Sequence, residues 1–420
     1  MADAWYGGPA NTGERVKYVE PTGEEKAGLL RYKRPPSTWD IFQKEEGIPI
    51  WSGIGISDSR TLPREHWERM GALGTYIQLI GTNNSTGMFV LEVPARSATR
   101  AHKHFYEERY IVVEGRGSTE VDRDGSSAKT TFEWQPWSMF SIPLNATFRI
   151  VNATSSPAVL IGINTAPIMT NLMKSKQFLF ENPYVPDERF GGNLEDYWKP
   201  QDEFEAHPVQ GRAMLTSNLF PDISNCYLPL DNNRGPGYRW VNPNMAGNTV
   251  LTGGFIAEYP SGRYSKAHHH GSGPVLICVK GKGYSYTWPK DEGTMTPWAN
   301  GKGDLVQRLD YGPGGMISAA PGYATWFHQH FAISKEPFRV HAIWANINVG
   351  GGGAARPASD DGMVAGVGAE ITEGGTAIPY HMEDPYIREY YQSRLKENGA
   401  EYAMPPEIYT PAGSSIKIDY

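Results

Sequence analysis

From Thr75 onward the chain reads as short strand-like runs broken by Gly, Pro, Asn or Asp: TYIQLIG, GMFVLEVP, IVVEGRGSTEV, TTFEW and SMFSIP. Side chains that change face at every residue suit a strand, so each run predicts a strand and each break a turn. The texture returns from Thr249 in TVLTGGFIAEYP, GYSYTWP, LVQRLDY, GMISAAP and EPFRVHAIWANI. Two β-domains are therefore expected, over 61–170 and 246–350. Residues 1–60, rich in Gly, Pro and charge, carry only the short apolar patches Trp39 to Phe42 and Ile48 to Ile56, and read as an arm against a barrel or a neighbouring subunit. The polar, Pro-rich stretch 171–245 reads as an irregular inter-domain linker. In the extension 351–420, Asp384 as N-cap, Pro385 at the first helical position and Gly399 as stop predict a helix over 385–398.

Composition narrows the class. A chain of 420 residues can bury two cores. Its 39 Lys and Arg against 46 Asp and Glu leave a formal charge of -7, which gives no electrostatic ground for nucleic acid or an anionic membrane as partner. A small molecule is the expected partner. Two cysteines, Cys226 and Cys278, make no disulfide framework and point to a reducing cytoplasm. The N-terminal stretch has no apolar signal core and no run is long enough for a bilayer, so a soluble, unexported protein is expected. The 12 Trp and 23 Tyr suit a turn-rich all-β protein with aromatic-lined cavities.

The chemistry concentrates at Lys266 to Gly281, KAHHHGSGPVLICVKG. On an extended strand His268 and His270 share a face and can grip one cation, while His269 points the other way. The arrangement occurs earlier as AHKHFYEERYIVVEGRG, with His102, His104 and Glu108. Superposing the histidines puts Gly115 on Gly281 and Gly117 on Gly283 without a gap, which marks a duplication. Glu108 completes a two-His, one-carboxylate set of the kind that holds iron(II) in oxygenases, a candidate second metal site. Its neighbour Glu107 is read as outward-facing, and the charges of EER as needing only solvent. In the second copy Pro274 stands where the Glu would be.

The pattern H-x-H, three residues, Glu, six residues, Gly resembles the first signature motif of the cupin superfamily, and the duplication that of a bicupin. The resemblance implies two antiparallel jelly-roll barrels, and a homo-oligomer whose extensions cross between protomers. It also implies a second motif with a further histidine after a proline. In the first barrel that segment is PLNATFRIVN, and Phe148 holds the histidine position. In the second, GMISAAPGYATWFHQHF places His328 and His330 on one face after Pro321, and His328 is favoured by position over His330 as third ligand. WFHQHF resembles gentisate and salicylate type ring-cleaving dioxygenases, which are three-histidine iron bicupins. Phe132 to Trp134, AHHHG, Thr287 to Pro289 and EDPYIREYY resemble bicupins labelled ethanolamine ammonia-lyase activating proteins.

Taken together these readings imply an Fe(II) dioxygenase, with Mn(II) as the other candidate metal. His268, His270 and His328 would hold the metal, and the reaction would use O2 to cleave a C–C bond of an aromatic or enolisable acid. A neutral donor set leaves the cation its full charge, which favours an anionic, chelating substrate. Trp288, Trp326 and His330, with Tyr284 and Tyr286, are candidates to wall the substrate, and Arg263 to meet its carboxylate. The competing readings are a redox-neutral decarboxylase or isomerase acting on a carboxylic acid, and a non-enzymatic small-molecule-binding bicupin.

Overall fold

The computed structural model describes residues 35–82, 85–123, 129–186, 194–208, 210–245, 251, 253–270, 273–321, 326–345 and 368–413. The architecture is all-β and duplicated, two jelly-roll sandwiches in tandem, as expected for a bicupin. In the first, the large sheet runs Ile50–Gly53, Ala72–Leu79, Gly87–Val93, Ala158–Asn164, Glu108–Glu114, Met139–Ile142 and Leu219–Phe220, with Glu65–Trp67 paired to Ala72–Leu79. It faces a small sheet of Ser97–Ala98, Thr147–Asn152, Gly117–Asp122 and Thr130–Trp134. The second repeats this. Its large sheet runs Glu205–Ala206, Ala213–Thr216, Arg239–Asn244, Gly253–Tyr259, Phe338–Trp344, Val275–Lys280, Met316–Ser318 and Gly55–Ile56. Its small sheet holds His268–His269, Trp326–Ala332, Gly283–Pro289 and Gln307–Tyr311.

The central strands of both large sheets are apolar at nearly every position because both faces are covered. Leu276 and Cys278 face their own barrel interior. Val275, Ile277 and Val279 turn outward and join Ile77, Val90, Ile111 and Ile161 of the first domain in one shared core. Double burial corrects the reading of EER as a solvated run: Glu107, Glu108 and Arg109 are all buried. Glu108 points into its barrel, whereas Glu107 and Arg109 face the second domain. There the Glu107 carboxylate accepts from Leu251 N at 2.8 Å and an Arg109 Nη2 donates to Leu251 O at 2.6 Å. The motif glycines have a steric reason. Gly115 and Gly281 sit at φ 88° and 69°, and a Cβ at Gly281 would lie 2.2 Å from Pro337 O.

The two domains exchange edges. Gly55–Ile56, from the expected arm, closes the second domain's sheet against Met316–Ser318. Leu219–Phe220, from the expected linker, closes the first against Met139–Ile142. The linker also supplies Ala213–Thr216, parallel to Arg239–Asn244, and so is built into both sandwiches. Proline and glycine masked this in the sequence, since Pro243 sits inside a strand, paired with Leu215. Residues 1–34 of the arm lie outside the described residues. Among the described residues no helix is long and apolar enough to cross a membrane.

The expected C-terminal helix forms over Pro385–Glu397, capped by the Asp384 carboxylate, which accepts from Tyr386 N at 3.0 Å. Ile387, Tyr391 and Leu395, on one helix face, are buried against the outer face of the second small sheet, where Tyr284, Tyr286, Trp288, Phe327 and Phe331 lie. Ahead of the helix, Ile378 N donates to Ala267 O at 2.7 Å and His269 N to Thr376 O at 3.2 Å. The extension thus adds an edge to the strand that carries the histidines. Glu383 is buried in this layer, where its carboxyl accepts from the Tyr264 hydroxyl and faces Gln329 Nε2 at 3.4 Å. Burial outweighs the Tyr264 hydrogen bond and the Arg388 charge and pushes its pKa up to about 8.

A carboxyl raised in the folded state binds its proton more tightly there than in the unfolded chain. Its stabilising contribution is complete below the unfolded value near 4.5 and is lost as pH rises through about 8. Glu383→Gln is therefore expected to flatten the fall in stability between about pH 5 and about pH 8.5. Urea midpoints of both proteins at the two pH values check this, and equal slopes would refute it.

Candidate metal centre

In the second barrel the antiparallel register sets His268 opposite His328 and His269 opposite Phe327. Alternation then turns His268, His270, His328 and His330 to the barrel interior, while the His269 ring packs edge-on against Phe327 at 5.3 Å on the other face. Donor nitrogens of His268, His270 and His328 all lie within 4.8 Å of one another. His328 Nε2 is 3.1 Å from His270 Nε2. The His268 Nδ1 meets the Lys266 carbonyl at 2.9 Å. A carbonyl only accepts, so Nδ1 carries the proton and Nε2 is left with its lone pair, the arrangement a metal-ligating imidazole needs.

Electrostatics hold the rings in ligand form. Burial drives His268 and His328 well below their ordinary value, and the Arg234 charge and neighbouring imidazoles add to it, so both are neutral. The spacing fits a cation, because two nitrogens about 2.1 Å from one ion at a right angle stand about 3.0 Å apart. Among the described residues no carboxylate joins the group, and Pro274 occupies the position of the first barrel's Glu108.

His330 lies beside this group and outside it. Its Nδ1 meets Ser285 Oγ at 2.7 Å, and that hydroxyl meets Tyr311 OH at 2.9 Å. Trp326 shares the inward face by alternation and is half-buried. Trp288 does not share it. Thr287 is the residue paired with His328, so 285 and 287 face inward, and Tyr284, Tyr286 and Trp288 face outward beneath the C-terminal extension. The indole of Trp288 donates to Thr294 O at 2.7 Å. The expected aromatic wall is in this part a structural layer. Arg263 is also engaged elsewhere, donating to Ala403 O at 3.1 Å and Pro236 O at 3.3 Å.

Arg234, in a stretch read as linker, is buried with its backbone against the histidine strand. Its carbonyl accepts from Lys266 N at 2.9 Å, and its charge depresses both His268 and His330. Turn residues carry no periodicity, so only comparison with Arg69 in the matching turn of the first barrel could have revealed it.

In the first barrel His102, His104 and Glu108 also come within 4.8 Å of one another. The backbones of His102 and Phe148 exchange hydrogen bonds of 3.0 and 2.9 Å, which gives Phe148 the topological place of His328. Its ring packs on His102 at 4.2 Å and edge-on to His104 at 5.7 Å. Both Glu108 oxygens are in use, accepting from Tyr110 OH at 2.5 Å and Asn164 Nδ2 at 2.9 Å. Burial raises the Glu108 pKa, but His104 and these donors outweigh it and hold the carboxyl at about 2. His104 directs Nδ1 at the Tyr106 carbonyl, 2.9 Å, and Nε2 at Glu108, 3.3 Å, a contact that needs a proton or a shared cation between them.

No protein-family model matches the chain, and no curated protein matches it in sequence. Among solved structures it is similar to a vicilin from Capsicum annuum, at 13% identity and a TM-score of 0.43 over 70% of this chain and 86% of that one. It is also similar to the oxalate decarboxylase of Lactobacillus farciminis, at 10% and 0.41 over 69% and 85%. For a mutant of the Bacillus subtilis oxalate decarboxylase the values are 11% and 0.43 over 79% and 88%. No statement about the chemistry of this chain follows from these likenesses.

Restoring the missing imidazole tests the reading of the first barrel. With His270→Ala as background, Phe148→His is expected to tighten Co(II) binding by roughly tenfold or more, measured by chelator competition. Unchanged affinity would show that Phe148 is not what limits that site.

Proposed function

We propose that the second barrel is the chemical one. In this reading it holds a divalent first-row cation, iron(II) first and manganese(II) second, on His268, His270 and His328. The protein then acts as a dioxygenase that cleaves a C–C bond of an aromatic or enolisable acid. One observation carries the reading: the buried imidazoles of His268 and His328, paired across two strands and held neutral, with His270 Nε2 3.1 Å from His328 Nε2. A purely structural barrel gains nothing from burying the unprotonated rings of His268 and His328, because each loses hydration that an apolar residue would not have had.

A divalent ion on three neutral ligands would supply Lewis acidity, open coordination positions and one-electron chemistry with dioxygen. The chain's own part is to hold and exclude. His268 is fixed by the Lys266 carbonyl, His330 by Ser285 and Tyr311, and the strand itself by the pairing of Ala377 on its outer edge. Trp326 and His330, on the inward face, are the residues available to wall a flat substrate. In the first barrel Phe148, and the donors that occupy Glu108, support a structural role.

Anaerobically purified protein is expected to carry close to one iron per chain, lost in His270→Ala and His328→Ala and retained in His104→Ala. Oxygen uptake with hydroxylated benzoic acids should follow the iron. Conversion of an acid without oxygen uptake would replace the dioxygenase by a redox-neutral decarboxylase or isomerase. Wild-type protein with no metal would leave a binding protein.

A further inference from the structure

We propose that Ser285 and Tyr311 are positioning residues that set the ligand count of the second barrel. They tie down His330, so that three imidazoles hold the cation and its remaining coordination positions stay open to a ligand from solution. The inference rests on the reading of that barrel as a metal site and assigns the residues that keep its ligand set at three.

Proximity alone would not keep His330 out. Its ring lies 5.6 Å from that of His328 and 6.3 Å from that of His268, while His268 and His270, both in the donor group, are 5.5 Å apart. What separates His330 is the direction in which its nitrogen is held. Its Nδ1 is 2.7 Å from Ser285 Oγ on the paired strand, and that oxygen is 2.9 Å from Tyr311 OH on the strand beyond. The backbone is fixed as well, since His330 N donates to Ser265 Oγ at 2.9 Å and Ser265 N to His330 O at 2.9 Å.

Counting hydrogens gives this chain of contacts a direction. His330, Ser285 and Tyr311 are all buried, and among the described residues the Tyr311 hydroxyl has no hydrogen-bond partner except Ser285. A buried O–H without an acceptor is costly, so Tyr311 donates to Ser285 and Ser285 donates to His330 Nδ1. The His330 ring meets no carboxylate among the described residues and is neutral in this interior. A neutral imidazole that accepts at Nδ1 carries its proton on Nε2. His268 is the reverse, with Nδ1–H on the Lys266 carbonyl and a lone pair on Nε2. One nitrogen of His330 is taken by a hydroxyl and the other by its own proton, so neither offers a metal a lone pair.

The duplication supplies an internal comparison. Superposing Gly117 on Gly283 puts Thr119 on Ser285, and the ladders then put Trp134 on Tyr311 and Ile150 on His330. In the first barrel the Trp134 indole donates to Thr119 Oγ1 at 3.1 Å. An indole nitrogen only donates, so the matching pair is bonded in the same sense, aromatic to hydroxyl. Both barrels therefore place a hydroxyl here under an aromatic donor, but only the second sets an imidazole opposite it. Where Phe148 stands for His328, Ile150 stands for His330.

The test uses the full-length protein in a His104→Ala background, so that only the second barrel reports. Loaded with Co(II), it is followed by visible absorption, by chelator competition and by titration with azide, an anion that needs an open coordination position. Ser285→Ala is expected to change the Co(II) spectrum, tighten Co(II) binding by roughly tenfold or more and weaken azide binding, as His330 turns to the cation. Tyr311→Phe, which removes one hydroxyl from an otherwise unchanged ring, should move all three readings in the same direction. Ser285→Thr should restore them, and adding His330→Ala to Ser285→Ala should abolish the gain. Ser285→Ala and Tyr311→Phe that both match the parent overturn the proposal, as does a parent that loses Co(II) affinity on His330→Ala as it does on His328→Ala. A parent that binds no Co(II) overturns the metal reading and the proposal together. Co(II) held by His268, His270 and His328 with no response at Ser285 or Tyr311 overturns the proposal alone.

Discussion

The backbone pairing of His268 with His328 is the constraint on which the rest of the site depends. It fixes which histidines meet, which side chains of the neighbouring strands face inward, and which are left to the outer face. A shift of one residue in that ladder would carry the whole donor group to the wrong side of the sheet. The pairing is guarded from both directions. Trp326–Ala332 is hydrogen-bonded to Gly283–Pro289 on its inner flank, and the short strand His268–His269 is held on its outer flank by Thr376, Ala377 and Ile378. The C-terminal extension is therefore part of the scaffold that aims the imidazoles, although none of its described residues joins the donor group.

The two barrels show one plan carried to different ends. The same register that sets His328 opposite His268 sets Phe148 opposite His102. Where the second barrel has Pro274, the first keeps Glu108 and then occupies both its oxygens. The first barrel also ties Arg69 to Glu46 under the rings of Phe42, Trp67 and Phe180. In the first barrel the interior groups Glu108 and Arg69 are thus met by the protein's own side chains.

Much of this was legible in the sequence because it obeys a period of two. The strands, the duplication, the shared face of His268 and His270, the displaced position of Phe148 and the late helix all follow from spacing and local chemistry. What failed to show depends on contacts between distant segments. Trp288 looked like a substrate wall until the pairing of Thr287 with His328 decided its face. Glu107 looked solvated because the second domain's covering of its strand has no local signature. Arg234 sits among turn residues, which have no period, and the strands of 171–245 are hidden by the proline and glycine that punctuate them.

The exchange of edges also bears on how the chain is made. Gly55–Ile56 leaves the ribosome early, but its partner Met316–Ser318 appears only after most of the second domain has been synthesised. At 5–20 residues per second that interval is roughly tens of seconds. The first sandwich can gather its own core in that time, while the segment destined for the second has no sheet to join. The molecule is finished by a late-arriving half that must close around a strand already waiting, and neither half, cut from the other, retains all of its own sheet.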